Sequence, residues 1–479
     1  MLPEPKSREA ILKAIFPETP SMSETEFGFV TPSNLTAFTD LYELTMLQGY
    51  YREDHNPEAT FSLFFRELPT NRGYVIAAGL EQALHYVEEL SFEDETLKYL
   101  AGEGFDDDFL EYLGGLEFTG EVRAIPEGTP VFPDEPLLEV TAPLMEAQLL
   151  ETALLNQIGF QSLVATKAAR MRDVVRRYGD DQNLVDFGCR RAHGTDAGMK
   201  ASRGSYVGGF DGTSNVAAGE AFGVPTFGTM AHSWIQSFDT ERESFEAFVE
   251  EYGEDSVLLV DTYDTVTGTE LAMDVAREKD VDISGVRIDS GDLAALSREV
   301  DGIIDDDTGL IVSSGMDEYA IEEFFEDGGV ATGFGPGTAL TTTRDAPAID
   351  VVYKLTAIER DGEVEPSMKL STGKVTYPNP KQVSRVASNG TYVRDVIGLR
   401  DDDLPGERLL ETVVEDGDLV YDLPDIDAIR ERTLTELEKL PRSVREIEDP
   451  SEYAVEISDH LGDLTAETEA ELEREQEGR

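Results

Sequence analysis

The stretch Gly285-Val-Arg-Ile-Asp-Ser-Gly-Asp292 joins a short apolar run to a polar loop that contains glycine. The same order returns in Leu310-Ile-Val-Ser-Ser-Gly315 and at other places in the middle of the chain. Short apolar runs bounded by such loops are typical of buried strands, and the intervals between them leave room for one helix. The pattern therefore predicts repeated strand–helix units, which is the organisation of an α/β barrel.

Six apolar runs are predicted as the strands of this barrel, and they cover residues 184–186, 224–226, 257–260, 285–288, 310–312 and 330–333. In a barrel the loops that follow the strands form the active face, and here these loops contain the chemically interesting side chains. An open, doubly wound sheet is the alternative. It would also bind ligands at the carboxyl ends of its strands, so the site is predicted at the same place.

The regions on either side have a different pattern. Helical and strand-like segments alternate before residue 143, a long helical stretch covers 144–178, and strand-like sequence resumes after 350. We predict an N-terminal α+β domain over 1–143 and an α/β barrel domain with the active site over 144–350. The remainder, 351–479, is predicted as a strand-rich segment that rejoins the N-terminal domain, followed by an acidic C-terminal region.

Composition excludes several classes of protein. The 479 residues include 99 Asp and Glu against 39 Lys and Arg, which gives a formal charge of −60. A general nucleic-acid binder needs a basic surface and is not expected. Because 40% of the residues are hydrophobic, the excess acid is expected on the surface of a globular protein. Such a surface is typical of a halophilic protein, whose charges need salt to screen them.

The cellular location follows from what the sequence lacks. Cys189 is the only cysteine, so neither an intrachain disulfide nor a multi-cysteine zinc site is possible. No apolar run is long enough and free enough of polar residues to span a membrane, and no signal peptide is recognised at the N-terminus. We expect a cytoplasmic protein that contacts neither membrane nor nucleic acid.

Basic residues are concentrated in two islands of this acidic chain. Residues 163–205 hold nine basic side chains against five acidic ones, and residues 366–398 form a second, smaller island. Basic islands favour an anionic substrate, because they offset the repulsion between the protein and a phosphate. Ion pairs with the surrounding carboxylates are the alternative explanation.

Two glycine-containing loops are candidates for binding phosphate. Gly333-Phe-Gly-Pro-Gly-Thr338 follows a predicted strand, and its glycines allow backbone N–H groups to converge on phosphate oxygens. Ser313-Ser-Gly-Met-Asp317 ends the preceding strand and is predicted as the other half of the same site. A tight turn without a ligand is the alternative for the first loop.

Two further strand ends carry reactive side chains. Arg287 and Asp289 offer a cation and a carboxylate, which suit ribose hydroxyls and a diphosphate held with Mg²⁺. An Arg–Asp pair that caps the next helix is the alternative. His232 follows a predicted strand in a loop of small residues, where an imidazole can act as a nucleophile or phosphoryl acceptor.

These motifs, in this order, resemble those of the nicotinate phosphoribosyltransferase family, over residues 34–385. The resemblance implies an irregular α/β barrel of the type II phosphoribosyltransferase kind, joined to an N-terminal α/β domain. It also implies a homodimer with the active site at the subunit interface, which makes nicotinate mononucleotide for NAD biosynthesis. The motifs are Thr39-Asp-Leu-Tyr-Glu-Leu-Thr45, Asp186-Phe-Gly-Cys-Arg-Arg-Ala-His-Gly194, Gly208-Gly-Phe-Asp-Gly-Thr-Ser-Asn215, Gly228-Thr-Met-Ala-His-Ser233, Asp261-Thr-Tyr-Asp264, Arg287-Ile-Asp-Ser-Gly-Asp292 and Gly335-Pro-Gly-Thr-Ala-Leu340.

The resemblance also implies residue roles. His232 resembles the histidine that ATP phosphorylates, and Asp289 resembles the ligand of the ribose hydroxyls. Phe187, together with Tyr42 of the partner subunit, is expected to sandwich the pyridine ring. Arg190 and Arg287 are expected to bind the nicotinate carboxylate and a nearby phosphate. The expected phosphoribosyl diphosphate ligands are Asp289, Ser314, Gly315, Gly335, Gly337 and Thr338.

The implied cofactors and the competing activities complete the prediction. Mg²⁺ is expected with the diphosphate and ATP as a co-substrate, while the protein itself holds no metal and no zinc. Nicotinamide phosphoribosyltransferase shares most of these motifs and is the nearest competing activity, although residues 39–45 and 228–233 favour nicotinate. Three more distant activities also compete: quinolinate phosphoribosyltransferase, a non-catalytic phosphosugar-binding homologue, and an unrelated barrel isomerase or lyase.

Overall fold

The computed structural model describes residues 28–179, 182–369 and 376–477. Lys374 of the second basic island and the start of the predicted N-terminal domain lie outside these residues. The first part of the described chain mixes helices and strands. In chain order it contains α1 (Leu41–Arg52), β1 (Glu58–Phe65), β2 (Val75–Ile76), α2 (Leu80–Glu88), α3 (Asp94–Glu103), α4 (Asp107–Leu113), β3 (Glu121–Ala124), β4 (Pro130–Val131), β5 (Leu138–Pro143), α5 (Leu144–Leu149) and α6 (Glu151–Tyr178).

The central part alternates strands with helices. It contains β6 (Asn183–Asp186), α7 (Thr195–Val207), β7 (Gly212–Thr213), α8 (Val216–Phe222), α9 (His232–Gln236), α10 (Glu241–Tyr252), β8 (Val257–Leu259), α11 (Thr265–Lys279), β9 (Gly285–Ile288), α12 (Leu293–Asp301), β10 (Gly309–Ser313), α13 (Glu318–Glu326), β11 (Gly333–Gly335) and α14 (Thr338–Thr341). The strands form a parallel six-stranded sheet in the order β7-β6-β11-β10-β9-β8. Their apolar side chains share one buried cluster with the surrounding helices. The predicted α/β architecture is confirmed.

Three details of the prediction were wrong. Residues 224–226, predicted as a strand, contribute only a single parallel bridge, between Thr226 and Thr213 of β7. The segment contains Pro225, which has no N–H to donate to a ladder. The strand predicted at 330–333 begins three residues later, as β11. The helix predicted over 144–178 is divided at Leu150 into α5 and α6.

The register of the sheet brings the predicted loops together. Ile288 of β9 lies beside Val312 of β10, and the next residue of β10, Ser313, lies beside Gly335 of β11. Because the strands are parallel, the loops after them leave the same edge of the sheet. The chain segments that begin at 289, 314 and 336 are therefore neighbours in space.

The helices that follow three of these strands begin at a capping aspartate. Asp side chains suit this position because they accept a hydrogen bond from an otherwise unpaired N–H of the first turn. The caps are Asp264 of α11, Asp292 of α12 and Asp317 of α13, and each accepts from the backbone N–H three residues further on. Each of these helices therefore starts at a fixed point a few residues beyond its strand.

The C-terminal part returns to the first. It contains β12 (Val351–Arg360), β13 (Glu363–Pro366), β14 (Lys381–Ser388), β15 (Thr391–Leu399), β16 (Glu407–Arg408), β17 (Glu411–Glu415), β18 (Asp418–Leu419), α15 (Ile426–Lys439), β19 (Val455–Ile457) and α16 (Asp459–Glu477). A seven-stranded sheet in the order β13-β12-β1-β5-β3-β17-β18 combines strands from both ends of the chain. The pairing of β12 with β1 is antiparallel. The domain boundaries at 143 and 350 stay predictions.

Most of the first basic island forms ion pairs inside the protein. Lys167 and Arg170, both fully buried on α6, contact the two oxygens of Glu318 at 2.6 and 2.9 Å. Lys167 also contacts Asp345 at 2.7 Å, and Arg72 contacts the other oxygen of that carboxylate at 2.8 Å. For these side chains the alternative explanation of the island was the right one.

Two cations of the second island also form ion pairs inside the protein. Lys381 pairs with Glu139 at 3.1 Å, and Arg385 pairs with Asp395 at 2.6 Å. Both cations are buried and paired, so they are not available to a substrate. Over the described residues, no helix combines the length and the hydropathy that a membrane crossing requires.

Candidate active site

A cavity of about 830 Å³ opens at the carboxyl ends of the parallel strands. Residues from the loops after β6, β9, β10 and β11 line it, as the register of the sheet requires. They include most of the predicted site residues: Phe187, Arg190, Arg287, Asp289, Ser314, Gly315, Gly335, Gly337 and Thr338. Tyr42 and His232 are not among the lining residues.

His232 is the first residue of α9 and lies beside the cavity. Its Nδ1 is 3.1 Å from the hydroxyl of Thr262. Its Nε2 lies 3.9 Å from Oδ2 of Asp289, which lines the cavity, and 4.0 Å from Oδ1 of Asp261. The side chain is 40% exposed. The ring is therefore held at Nδ1, while Nε2 is directed at two carboxylates without touching either.

Asp261 is a site residue that the sequence interpretation did not assign. Its Oδ2 accepts hydrogen bonds from the backbone N–H of Asp289 at 2.8 Å and from the hydroxyl of Ser290 at 2.6 Å. Its Oδ1 is buried and has no hydrogen-bond partner. The available signal was its position two residues after β8, the same kind of strand end that singled out Asp289.

Phe187 and Arg287 form one side of the cavity, the first with an apolar ring and the second with a cation. The guanidinium of Arg287 lies over the ring of Phe187, 5.9 Å from its centroid, and donates through Nη1 to the hydroxyl of Thr229. The Nε of Arg287 is buried and has no hydrogen-bond partner. Burial lowers the pKa of Arg287, and the nearby cation Arg190 acts in the same direction. Both effects favour the arrival of an anion at this guanidinium.

The loop that carries Phe187 is fixed by a buried carboxylate. Asp186, the last residue of β6, accepts from the N–H of Gly188 at 2.7 Å and from the hydroxyls of Ser202 and Thr213 at 2.9 and 2.8 Å. Burial raises the pKa of Asp186, and these three donors oppose that rise. Phe187 is the next residue after this fixed strand end, so the position of its aromatic ring is restricted.

The two glycine-containing loops differ in why they need small residues. Ser314 and Gly315 both have positive φ, 78° and 72°, so the chain turns sharply after β10. Left-handed backbone at a residue other than glycine is uncommon and is found at ligand sites. At Gly335 a Cβ atom would lie 2.3 Å from the ring of Phe187, so packing against that ring requires glycine there.

Arg344 is a second residue that the sequence interpretation missed. It lines the cavity, and its side chain is 65% exposed, with Asp317 as an ion-pair partner at 3.5 Å. The following residue, Asp345, is anchored by Arg72 and Lys167. Although burial opposes it, these hydrogen bonds hold the pKa of Asp345 well below its usual range. An exposed cation beside the glycine loop of 335–338 is thus supported by a buried ion pair.

The two carboxylates of the segment 289–292 have separate places. Asp289 lines the cavity and accepts from the hydroxyl of Ser313 at 3.1 Å. Asp292 accepts from the backbone N–H of Ala295 at 3.0 Å and caps α12. The alternative interpretation, a helix cap, therefore applies to Asp292 and not to Asp289.

Tyr42 lies on the first turn of α1 and is half-exposed. Burial raises the pKa of Tyr42 well above its usual value, and a hydrogen bond to Glu151 adds to the effect. The next residue, Glu43, is fully buried and accepts from the hydroxyls of Thr39 and Thr152. Two apolar residues close to Tyr42 in the sequence, Phe38 and Leu41, are also exposed.

Within the described residues, no group of three or more His, Cys, Asp and Glu is arranged to hold a metal ion. The carboxylates of Asp261 and Asp289 are nevertheless oxygen donors of the kind that Mg²⁺ prefers. The unpartnered Oδ1 of Asp261 fits such a ligand. A cation could therefore be shared between the protein and an anionic ligand.

The fold and this cavity define the class: α/β proteins of the barrel type, with a ligand site for an anion at the carboxyl edge of the parallel sheet. Three family descriptions match the chain. The nicotinate phosphoribosyltransferase N-terminal domain matches residues 38–159, the family itself matches 182–391, and its C-terminal domain matches 404–465.

Individual relatives agree. A nicotinate phosphoribosyltransferase of Mycobacterium tuberculosis is 42% identical over 433 residues, which cover 88% of this chain and 92% of the relative. The Bacillus subtilis nicotinate phosphoribosyltransferase is 39% identical over 94% of this chain and its own full length. The crystal structure of human nicotinic acid phosphoribosyltransferase superposes with a TM-score of 0.79 at 28% identity, covering 90% of this chain and 99% of the human one.

The chain belongs to the nicotinate phosphoribosyltransferase family, which is a family of enzymes. The resemblance drawn from the motifs is confirmed. The C-terminal match also includes the acidic region for which the sequence alone indicated no role.

Proposed function

We propose that this chain joins nicotinate to phosphoribosyl diphosphate, and releases nicotinate mononucleotide and diphosphate. Family membership supports the reaction, and one observation about the site carries it. A guanidinium beside an aromatic ring, a strand-end carboxylate and two tight glycine-containing loops line a single cavity. These are the partners that a flat aromatic acid, a ribose and a phosphate respectively require.

The arrangement orients the two substrates for in-line transfer. Phe187 offers a face for the pyridine ring, and the unpartnered Nε of Arg287 is available to its carboxylate, with Arg190 nearby. The glycine loops hold the 5′-phosphate, with Ser314 and Thr338 as hydroxyl donors and Arg344 as a counter-charge. Asp289 accepts hydrogen bonds from the ribose hydroxyls.

Bond changes in the transfer step need no covalent sugar–enzyme intermediate. The anomeric C–O bond breaks and its electron pair leaves with diphosphate, while the ring nitrogen of nicotinate donates a pair to the anomeric carbon. Positive charge develops on the ribose in between, where the carboxylate of Asp289 stabilises it. Mg²⁺, held with the diphosphate by Asp289 and Asp261, would neutralise the charge of the leaving group.

His232 is proposed to couple ATP hydrolysis to this reaction. With the Nδ1 proton donated to Thr262, Nε2 keeps its lone pair and attacks the γ-phosphorus of ATP. The new P–N bond forms as the P–O bond to ADP breaks, and water later hydrolyses the phosphohistidine. The carboxylates of Asp261 and Asp289 stabilise the positive charge that the ring then carries.

A homodimer with a shared active site is the remaining part of the proposal. Tyr42 does not line the cavity of its own chain, although the family motif places it at the nicotinate ring. Its exposure, together with that of Phe38 and Leu41, supports a subunit interface there. In that dimer, Tyr42 of the partner subunit covers the second face of the pyridine ring.

The decisive test is a product assay in concentrated KCl with Mg²⁺ and phosphoribosyl diphosphate. Nicotinate, nicotinamide and quinolinate are compared, each with and without ATP, by chromatographic detection of the mononucleotide. Of the three compounds, we expect only nicotinate to give product, and we expect that product to form faster with ATP. Product from nicotinamide in its place would assign the chain to the nicotinamide reaction. No mononucleotide from a folded protein would indicate a phosphosugar-binding homologue or a different barrel enzyme.

A further inference from the structure

Five arginines line a second cavity, of about 320 Å³, on the opposite side of the sheet from the candidate active site. Arg172 donates to the carbonyl of Gln182, directly before β6 begins, whereas the active-site loops follow the ends of the strands. The cavity is therefore at the amino end of the sheet. Its arginines are Arg172, Arg176 and Arg177 on α6 and Arg442 and Arg445 beyond α15.

The wall of this cavity is rich in guanidinium groups for so acidic a protein. Asp173 and Glu438 are the acidic residues that line it, and Asp211, Glu322 and Glu446 also form ion pairs with its arginines. Both oxygens of Asp173 are occupied, one by Arg177 and the other by Arg445. Burial lowers the pKa of Arg172, and the neighbouring cations Arg430 and Arg176 act in the same direction, against Asp211. The main cause of this lowering is therefore the burial of the guanidinium in the cavity wall.

Part of the arginine cluster is satisfied by the protein. Arg177 donates to Asp173, Glu446 and the carbonyl of Arg445. Arg172 uses all three of its nitrogens on neighbouring acceptors. These two side chains form a fixed wall, which keeps the cavity from collapsing.

Arg176 contacts Glu438 at 3.2 Å, and within the described chain three donor nitrogens of Arg442 and Arg445 make no hydrogen bond. Arg445 bonds through Nε and Nη1, and within the described chain its Nη2 makes no hydrogen bond. Arg442 bonds only through Nε, to Glu446 at 3.3 Å, and its side chain is 73% exposed. Both terminal nitrogens of Arg442 and one of Arg445 can therefore donate to a ligand in the cavity.

We propose that this cavity binds a small ligand through its phosphate groups. Guanidinium donors fit phosphate oxygens in pairs, and several guanidiniums around one space favour a ligand with more than one negative charge. A volume of about 320 Å³ is at the lower end of the range of ligand pockets, which suits a phosphate or diphosphate group. The site is separate from the phosphate loops of the proposed reaction.

Calorimetric titration of the full chain at one fixed KCl concentration tests the proposal, with inorganic phosphate, diphosphate and ATP as separate probes. Arg442→Gln removes two of the three free donors and one partly exposed ion pair, and it leaves the free nitrogen of Arg445 in place. We expect it to weaken binding roughly tenfold, as for loss of one charge-assisted hydrogen bond. Glu438→Gln removes the acid on the rim and should strengthen binding. Arg360→Gln, a similarly exposed arginine on β12, is the matched control and should change nothing.

The active site also accepts phosphates under the proposed function, so the two sites must be separated. Arg344→Gln should weaken binding of the probes at the active site only. Arg442→Gln should leave the rate of mononucleotide formation unchanged. Unaltered circular dichroism and unfolding midpoint show that Arg442→Gln is folded. Binding that Arg344→Gln removes but Arg442→Gln does not, or no binding of any probe, overturns the second site whatever the outcome of the product assay.

Discussion

Two clusters of cationic and acidic side chains in this molecule have opposite roles. Around Glu318, Lys167 and Arg170 approach the carboxylate to 2.6 and 2.9 Å. Around Asp289, the nearest ring nitrogen of His232 stays 3.9 Å away. The first cluster is buried, and its cations and carboxylates contact one another directly. The second leaves one oxygen of Asp261 and the Nε of Arg287 without partners, so its charges are available to substrates.

The comparison shows that a structural cluster differs from a functional one in whether its charged groups are paired within the protein, and not in whether it carries charge. A paired buried charge resists change, because removal of either partner leaves the other uncompensated. A charged group that contacts no partner within the protein can interact with a ligand or a transition state. Substitutions in the two clusters should therefore separate stability from turnover.

The largest effect is expected for Glu318→Ala. The change leaves Arg170 buried without its carboxylate partner and Lys167 with Asp345 alone, which should lower the free energy of unfolding by about 3–5 kcal/mol. Chemical denaturation measures it. Glu322→Ala, on the same helix with one ion pair at 3.4 Å, is the control and should cost less than about 1 kcal/mol. Equal losses from the two variants would remove the distinction between the clusters.

Asp289→Asn should act on turnover instead. The variant keeps its size but loses the charge opposite the ribose, so we expect kcat/KM to fall roughly 100- to 1000-fold, about 3–4 kcal/mol of transition-state stabilisation. Asp292→Asn is the matched control, since that side chain caps α12 outside the cavity. The control should keep its turnover. A near-normal rate for Asp289→Asn would exclude its assigned role.

His232→Ala should remove the ATP effect while leaving basal transfer measurable. Without Nε2 there is no phosphoryl acceptor, so the acid-labile label from ATP should vanish and the stimulation by ATP should be lost, roughly tenfold or about 1.4 kcal/mol. His460→Ala, an exposed histidine paired with Asp402, is the control. Label that persists on His232→Ala would place the acceptor elsewhere.

The last effect is a dependence of stability on pH, and it concerns a carboxyl that is buried without a cation. Burial raises the pKa of Glu43 from its usual 4.5 to about 7, against the hydroxyls of Thr152 and Thr39. The folded state then holds a proton that the unfolded chain releases, so stability is full below about pH 4.5 and is lost as the pH rises through about 7.

We expect Glu43→Gln to flatten this dependence, by about 3 kcal/mol between those pH values. Denaturant midpoints across the range measure it, with Glu53→Gln at the exposed end of α1 as the control. The same slope in Glu43→Gln and the unaltered chain would assign the proton to another group. Asp40 and Glu151 are the nearest acids to examine in that case.

Sequence reasoning located the strand ends because the side chains there are local signals. An apolar run followed by glycine and a carboxylate marks Asp289 and the loop after β10 without any knowledge of the fold. The same rule could have marked Asp261, which was quoted within a motif but not assigned. Arg344 gave no such signal, because its place at the cavity depends on the short helix α14 and the ion pairs of Asp345.

The basic islands show where the sequence is insufficient. Lys167 and Arg170 were candidates for binding an anion, since their partners Glu318 and Asp345 come well over a hundred residues later. An ion pair between distant segments has no periodicity and no local motif. The structure was needed to show which cations were already paired, and which, such as Arg442, kept donors free.

The pairing of β1 with β12 has a consequence for how the chain is made. Leu63 lies beside Tyr353, about 290 residues later, so at ordinary rates of synthesis β1 waits roughly 15–60 s for that neighbour. The barrel strands between them leave the ribosome first. Until then one edge of β1 presents unpaired backbone groups that other chains could pair with. The first strand of the described chain to be synthesised is thus among the last to be completed.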